Sequence, residues 1–521
     1  MNSNIPSAAK NEKPKGYANR LGEYYAKEVP QEYKKKQGQF FTPLEIATYM
    51  ASLATCGATT ISVLDPGCGT AVLSCSLVEH LVSKNPYNIQ HIYLTAYETD
   101  KQLTSLTQKS LNYLQQWAQE KGITLDYKLY TADFVLENYE CLYTDSSLFD
   151  SQKELYDFII CNPPYFKLSK EDKRAKATAI ITDGQPNIYA AFLAIASRLL
   201  KRGEGEMIFI TPRSFTSGRY FNSFRDYFFK QIRLNFIHLF ESRRDTFGKD
   251  KVLQETLILK AKPLRQGSTS KICLSTSSGL QDIASSQKRI YPQSALIDLN
   301  SKGKIVHLPT NDRQETIIDL FKSWKGSLNQ YDIQISTGPV VAFRVKDFIK
   351  ETNQGKTTQL YWLHNVLKMG LIYPLYKPNK PPYIQVCEQT KAYLIPNRNY
   401  VFLRRFSAKD DKSRLIAAPY FSSPETPMWI GVENKLNYIY RPKGHLARTE
   451  VMGIVALLNS ELFDTYFRTF NGNVNVSATE LRAMPMPPLE TIKEIGKTLI
   501  LLNDFSMENV SKVVSFFFKL E

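Results

Sequence analysis

Apolar residues in the first half of the chain fall in short unbroken runs. Each run ends in a polar or glycine-bearing turn, and a stretch with apolar positions at helical spacing usually follows. Runs of this kind at Ile61 to Leu64, Ile92 to Ala96, Tyr127 to Tyr130, Tyr156 to Ile160 and Gly205 to Pro212 predict strands, with two more at Arg233 to Phe240 and Val252 to Lys260. Helical spacing covers Gly16 to Lys36, Leu44 to Ala54, Ala71 to Val82, Lys101 to Lys121 and Asn187 to Arg202. Strand and helix in alternation predict an α/β fold, a doubly wound and mostly parallel sheet.

The pattern changes further on. From about Pro263 to Asn311 the composition shifts to Ser, Thr, Gln and Lys, which predicts a boundary and the start of a mixed α+β domain. That domain closes with a helix over Val451 to Phe470, a polar turn at Asn471-Gly472-Asn473, and a last helix from Leu489. The expected division is a flexible N-terminus at 1–15, a first domain at 16–265 and a second at 266–521.

Composition narrows the partners. With 521 residues and 43% hydrophobic content the chain is a multi-domain globular protein. A formal charge of +16 favours an anionic partner, nucleic acid before a membrane surface. No apolar run approaches the roughly 18 residues that cross a bilayer, and Met1 to Lys15 has no signal-peptide core, so a cytoplasmic protein free of membrane is expected. Seven cysteines without a C-x-x-C pair and six scattered histidines predict neither a disulfide framework nor a metal site.

The candidate chemistry sits where the strands end. Asp65-Pro66-Gly67-Cys68-Gly69 joins a strand to a helix, the form of a nucleotide-binding turn, with glycines that let a ligand reach the backbone. Glu98 follows the next strand, where a carboxylate can hold ribose hydroxyls. Asp133, before Phe134, either accepts from an adenine amino group or caps its turn. Thr42, beside Pro43 at a helix start, either helps bind a carboxylate or caps the helix. Asn162-Pro163-Pro164-Tyr165 ends a buried strand. There the prolines hold the Asn162 carboxamide and the Pro163 carbonyl as two acceptors for an amino group, with Tyr165 able to lie against a planar ring.

Between residues 331 and 450 basic residues outnumber acidic ones, and aromatics are interleaved with them. Arg404, Arg405, Lys409, Lys412 and Arg414 form the densest part, as a nucleic-acid surface requires.

In this order the segments Phe40-Phe41-Thr42-Pro43, Asp65 to Gly69, Tyr97-Glu98, Ala132-Asp133-Phe134 and Asn162 to Tyr165 resemble the gamma-class N6-adenine DNA methyltransferases of restriction-modification systems. Ser336 to Val341 and Ala456 through Pro485 resemble the closing target-recognition domain, and the PaeR7-like modification methylases are the nearest group. The resemblance implies S-adenosylmethionine as cofactor. Glu98 would lie at its ribose, Asp133 with Phe134 at its adenine, and Thr42 with Asp65, Gly67 and Gly69 at its methionine end. It also implies Asn162, Pro163 and Tyr165 as the catalytic set, and Phe247 as a second stacking face for a flipped adenine. Ala71 stands where many relatives have glycine or serine. The implied partners are double-stranded DNA and, functionally, a restriction endonuclease, for a monomer in a bacterial or archaeal nucleoid. RNA or protein-glutamine methylation and an inactive DNA-specificity subunit are the alternatives.

Overall fold

The computed structural model describes residues 5–519, apart from 40, 56, 86–87, 145–153, 241–254, 266–269, 408–410, 426 and 473–474. The chain forms two compact units, Met1–Val306 and His307–Glu521.

The first unit is built on a nine-stranded sheet. Its strands are β1 (Thr60–Pro66), β2 (His91–Tyr97), β3 (Thr124–Tyr130), β4 (Phe158–Cys161), β5 (Glu206–Pro212), β6 (Ile232–Phe240), β7 (Thr256–Pro263), β8 (Lys271–Ser277) and β9 (Gln287–Pro292). Their order across the sheet is β3-β2-β1-β4-β5-β7-β6-β8-β9. The first five are parallel, and β7 enters antiparallel between β5 and β6. β4 and β5 are buried along their whole length, which is why they read as continuous apolar runs. The chain moves outward in one direction from β1 to β3 and in the other from β4 to β5. Right-handed crossovers therefore put the two sets of helices on opposite faces and open a crevice between the carboxyl ends of β1 and β4.

Several expected boundaries move. The helix expected over Gly16 to Lys36 is two helices, Pro14–Glu28 and Gln31–Gln37, because Pro30 cannot continue the first. Part of the N-terminus expected to be flexible is held in place: Arg20 pairs with Glu12 at 2.6 Å, and the Tyr17 hydroxyl donates to the Pro6 carbonyl at 3.0 Å. The division between units falls at Val306 rather than near residue 265, since β8 pairs with β6, and β9 with β8, in the same sheet.

The second unit holds a four-stranded antiparallel sheet, ordered Gln334–Thr337, Leu436–Tyr440, Tyr400–Arg404 and Ala417–Tyr420. A five-stranded mixed sheet is built from strands interleaved with these in sequence, and a helical group follows. The single helix expected over Val451 to Phe470 is two, Arg448–Asn459 and Glu461–Phe470, because Ser460 leaves helical geometry and caps the second with its hydroxyl. Past Leu489 there are also two helices, Leu489–Leu502 and Met507–Phe518. Arg448–Asn459 crosses Leu489–Leu502 at Gly453 and Gly496, where a methyl group would strike the Ile492 and Thr449 carbonyls of the facing helix. Among the described residues no helix is long and apolar enough to cross a membrane.

Candidate active site

The turn after β1 is shaped by left-handed backbone. Gly67 has φ 84° and Gly69 φ 56°, and the Gly67 and Cys68 amides both donate to the Tyr97 carbonyl at 2.9 Å, so the turn is strapped to the end of β2. Ala71 shares this conformation at φ 64°, which explains why a glycine suits the position and shows that alanine still forms the turn. Directly before the turn Asp65 is fully buried. One of its oxygens accepts from the Ser74 hydroxyl at 2.5 Å, and Oδ1 has no hydrogen-bond partner among the described residues. Burial pushes its carboxyl up to about 7 against the pull of the Ser74 bonds.

Glu98 is buried just past β2 and spans two loops. One carboxylate oxygen accepts from the Gly69 amide at 3.1 Å and the other from the Asp100 amide at 2.9 Å. Burial raises its carboxyl, and the nearby Asp100 charge adds to the rise. Each oxygen keeps acceptor capacity for a second donor.

Asp133 caps the helix Phe134–Asn138: its Oδ1 accepts from the Val135 and Leu136 amides at 2.9 and 3.1 Å. Its other oxygen lies 3.5 Å from the Arg174 guanidinium. Phe134 is buried with its ring against Tyr97 and Phe192.

At the end of β4, Asn162 Nδ2 donates to Thr42 Oγ1 at 3.0 Å, and Asn162 Oδ1 accepts from the Tyr165 hydroxyl at 2.6 Å. The same hydroxyl lies 3.0 Å from the Ile210 carbonyl in β5, and burial raises the phenol well above its usual range. Thr42, at the mouth of the helix Leu44–Ser52, is buried. These loops enclose a cleft of about 290 Å³ whose lining includes Gly67, Gly69, Glu98, Asp133, Phe134 and Asn162.

A model of the Eco57I restriction-modification methylase family matches residues 49–247, a span that carries the strand-end loops from β1 to β5. Over 481 residues, 92% of each chain, this protein is 33% identical to the type II methyltransferase M.BsuBI of Bacillus subtilis. The chain belongs to the type II restriction-modification methyltransferases. This methyltransferase is also 29% identical to M.PstI of Providencia stuartii over 92% of its own length and 93% of the relative's. Among solved structures it is similar to a chain of a DrdV–DNA complex, at 14% identity and a TM-score of 0.49, over 95% of this chain and 60% of that one.

The methyltransferase's cleft holds residues that its motifs did not reveal. Asp100 caps the helix Lys101–Glu120 through one oxygen. With the other it accepts from the hydroxyls of Tyr25 and Tyr33, at 2.6 and 3.2 Å, and from the Gln39 amide at 3.2 Å. Burial alone would raise this carboxyl, but these bonds hold it below the usual range. Arg174, bonded to Asp172 at 2.6 Å, reaches Asp133 and stands over the Phe166 ring. The N-cap pattern at Asp100 was a usable signal for the first; Arg174 belongs to no motif.

The basic residues singled out in the second unit divide differently. Arg414 is fully buried, donating to the Ser407 hydroxyl and the Asn471 amide oxygen at 3.0 and 2.9 Å over the Phe467 ring, so it belongs to the core and not to a DNA-facing surface. Arg404 and Arg405 are half-buried and donate to the carbonyls of Val366 and Asn434. Lys412 is exposed. Phe247 and Lys409 lie outside the described residues.

Proposed function

We propose that this methyltransferase transfers a methyl group from S-adenosylmethionine to N6 of an adenine swung out of duplex DNA, at a specific sequence that a cognate restriction endonuclease would otherwise cut. The observation that carries the reading is the Asn162 carboxamide at the end of β4, on the wall of the cleft that Glu98, Asp133 and the Gly67 to Gly69 turn also line. The cleft's donors and acceptors fit the cofactor. Glu98 has acceptor capacity for ribose hydroxyls and Phe134 supplies an apolar wall for a base, whereas Asp65, fully buried, does not line the cleft. When bound, S-adenosylmethionine supplies an electrophilic methyl group on sulfur.

The chain's own residues then act on the acceptor. The lone pair of adenine N6 is delocalised into the ring and is a poor nucleophile. Acceptors at Asn162 Oδ1 and the Pro163 carbonyl take its two hydrogens, favour pyramidal nitrogen and leave the lone pair free for in-line attack. This is catalysis by positioning and electrostatic stabilisation. The proton leaves to water after transfer, so no strong base is needed. An amine inside a duplex cannot reach this loop, so the base is extruded at a cost of a few kcal/mol and stacks on Tyr165, with Phe247 as the second face. Exposed Lys412 and neighbouring basic side chains of the second unit supply phosphate contacts.

The test compares wild type with Asn162→Ala on unmethylated duplex DNA and tritiated S-adenosylmethionine. Transfer in the variant is expected to fall at least about a hundredfold, the scale of losing a stabilising group in the transition state, with cofactor and DNA affinity little changed. Full activity in Asn162→Ala would contradict the reading.

A further inference from the structure

A terminal amide torsion is broad and close to two-fold, so a carboxamide that serves as an acceptor needs neighbours that fix both its plane and which end faces the substrate. Turned end for end, Asn162 would present a donor to the donor hydrogens of an amine. Two hydroxyls hold it. Thr42 Oγ1 takes a hydrogen bond from Nδ2 at 3.0 Å, and Tyr165 gives one to Oδ1 at 2.6 Å. Thr42 is buried where Pro43 opens the helix Leu44–Ser52, so its hydroxyl sits on rigid backbone. Tyr165 has a single hydroxyl hydrogen and a second acceptor in reach, the Ile210 carbonyl at 3.0 Å on fully buried β5.

We propose that Thr42 and Tyr165 are positioning residues for Asn162: Thr42 fixes the plane and orientation of the carboxamide, and Tyr165 keeps Oδ1 bonded until the target amine replaces it. The Tyr165 hydroxyl then turns to the Ile210 carbonyl, so no buried polar group is left unpaired on either side of the exchange. The inference rests on the reading of Asn162 as the amine acceptor. It also gives Thr42 work that contact with the cofactor's carboxylate would not require, since its oxygen accepts from the Asn162 carboxamide.

The experiment measures kcat and both KM values for wild type, Thr42→Val, Thr42→Ser and Tyr165→Phe. It uses tritiated S-adenosylmethionine and unmethylated plasmid DNA that the wild type labels, with unfolding midpoints recorded for each variant. Thr42→Val is expected to lower kcat at saturating cofactor about five- to tenfold, the worth of one neutral hydrogen bond, and Thr42→Ser to restore most of it. Tyr165→Phe keeps the ring and the fold and is expected to lower kcat by a similar factor, with the DNA KM unchanged. In the double variant Thr42→Val/Tyr165→Phe the loss should differ from the product of the single losses, because both hydroxyls hold one amide. An unchanged kcat in Thr42→Val with only a raised cofactor KM, or an unchanged kcat in Tyr165→Phe, would overturn the proposal. Wild type that labels no DNA would instead contradict the function on which it rests.

Discussion

Asp65 in the first unit and Arg414 in the second are both fully buried charged residues in segments that the sequence marks as functional, yet they are held by different surroundings. Arg414 sits in a scaffold, its guanidinium bonded to Ser407 and Asn471 and laid over Phe467. Asp65 has one oxygen on Ser74 and the other without a partner. A buried charge tied to side chains on several elements specifies the fold. A buried carboxyl held through one oxygen costs stability, which its pH dependence reports.

The contrast is sharpest in pH dependence. Asp65 ionises near 3.8 when the chain is unfolded and near 7 when it is folded. A raised folded value means that its contribution is fully present below about pH 4 and is lost as pH rises through 7, by up to about 4 kcal/mol at the limit of full burial. In ligand-free protein the gap in unfolding free energy between wild type and Asp65→Asn should therefore change progressively from pH 4 to 7 and level off above. A gap that stays constant would place no perturbed carboxyl there.

Arg414→Ala should cost about 3 kcal/mol in urea unfolding, from the cavity and the stranded Asn471 and Ser407 groups. The exposed Lys412→Ala should cost under about 0.5 kcal/mol and instead lower the salt slope of DNA binding by about one. If the stability losses were reversed, the assignment of Arg414 to the core and Lys412 to the surface would fail. The smallest effect is expected at Ala71→Gly, where relief of the left-handed backbone and loss of a buried methyl offset each other to within about 1 kcal/mol, read as a shift in melting temperature.

The same contrast explains what could be read in advance. The position of Asp65, Glu98, Asp133 and Asn162 near one edge of the sheet was legible because each lies at or just past the end of a parallel strand, and such a sheet brings strand ends to one edge whatever lies between them. Glu98 took its place although 29 residues separate it from Gly69, because the loop before β2 absorbs the extra length. Asp133 was legible as a ligand or a cap, and the cap is present. Arg414 was misread because a basic run reports local composition, while its burial depends on Asn471 at the far end of the helices. The Asp100 network was missed for the same reason, since Tyr25 and Gln39 reach it from the N-terminal segment. The division between units was placed early because β8 and β9 carry a polar composition and join the sheet by pairing, β8 with β6 and β9 with β8.

Product analysis tests most directly whether the loop of Asn162 methylates the exocyclic amine of adenine in DNA, as proposed. Duplex DNA incubated with the wild-type protein and labelled S-adenosylmethionine, then digested to nucleosides and resolved by mass, is predicted to yield N6-methyldeoxyadenosine as the labelled product. Label found in methylated cytosine instead, or only in RNA or protein under the same conditions, would contradict it.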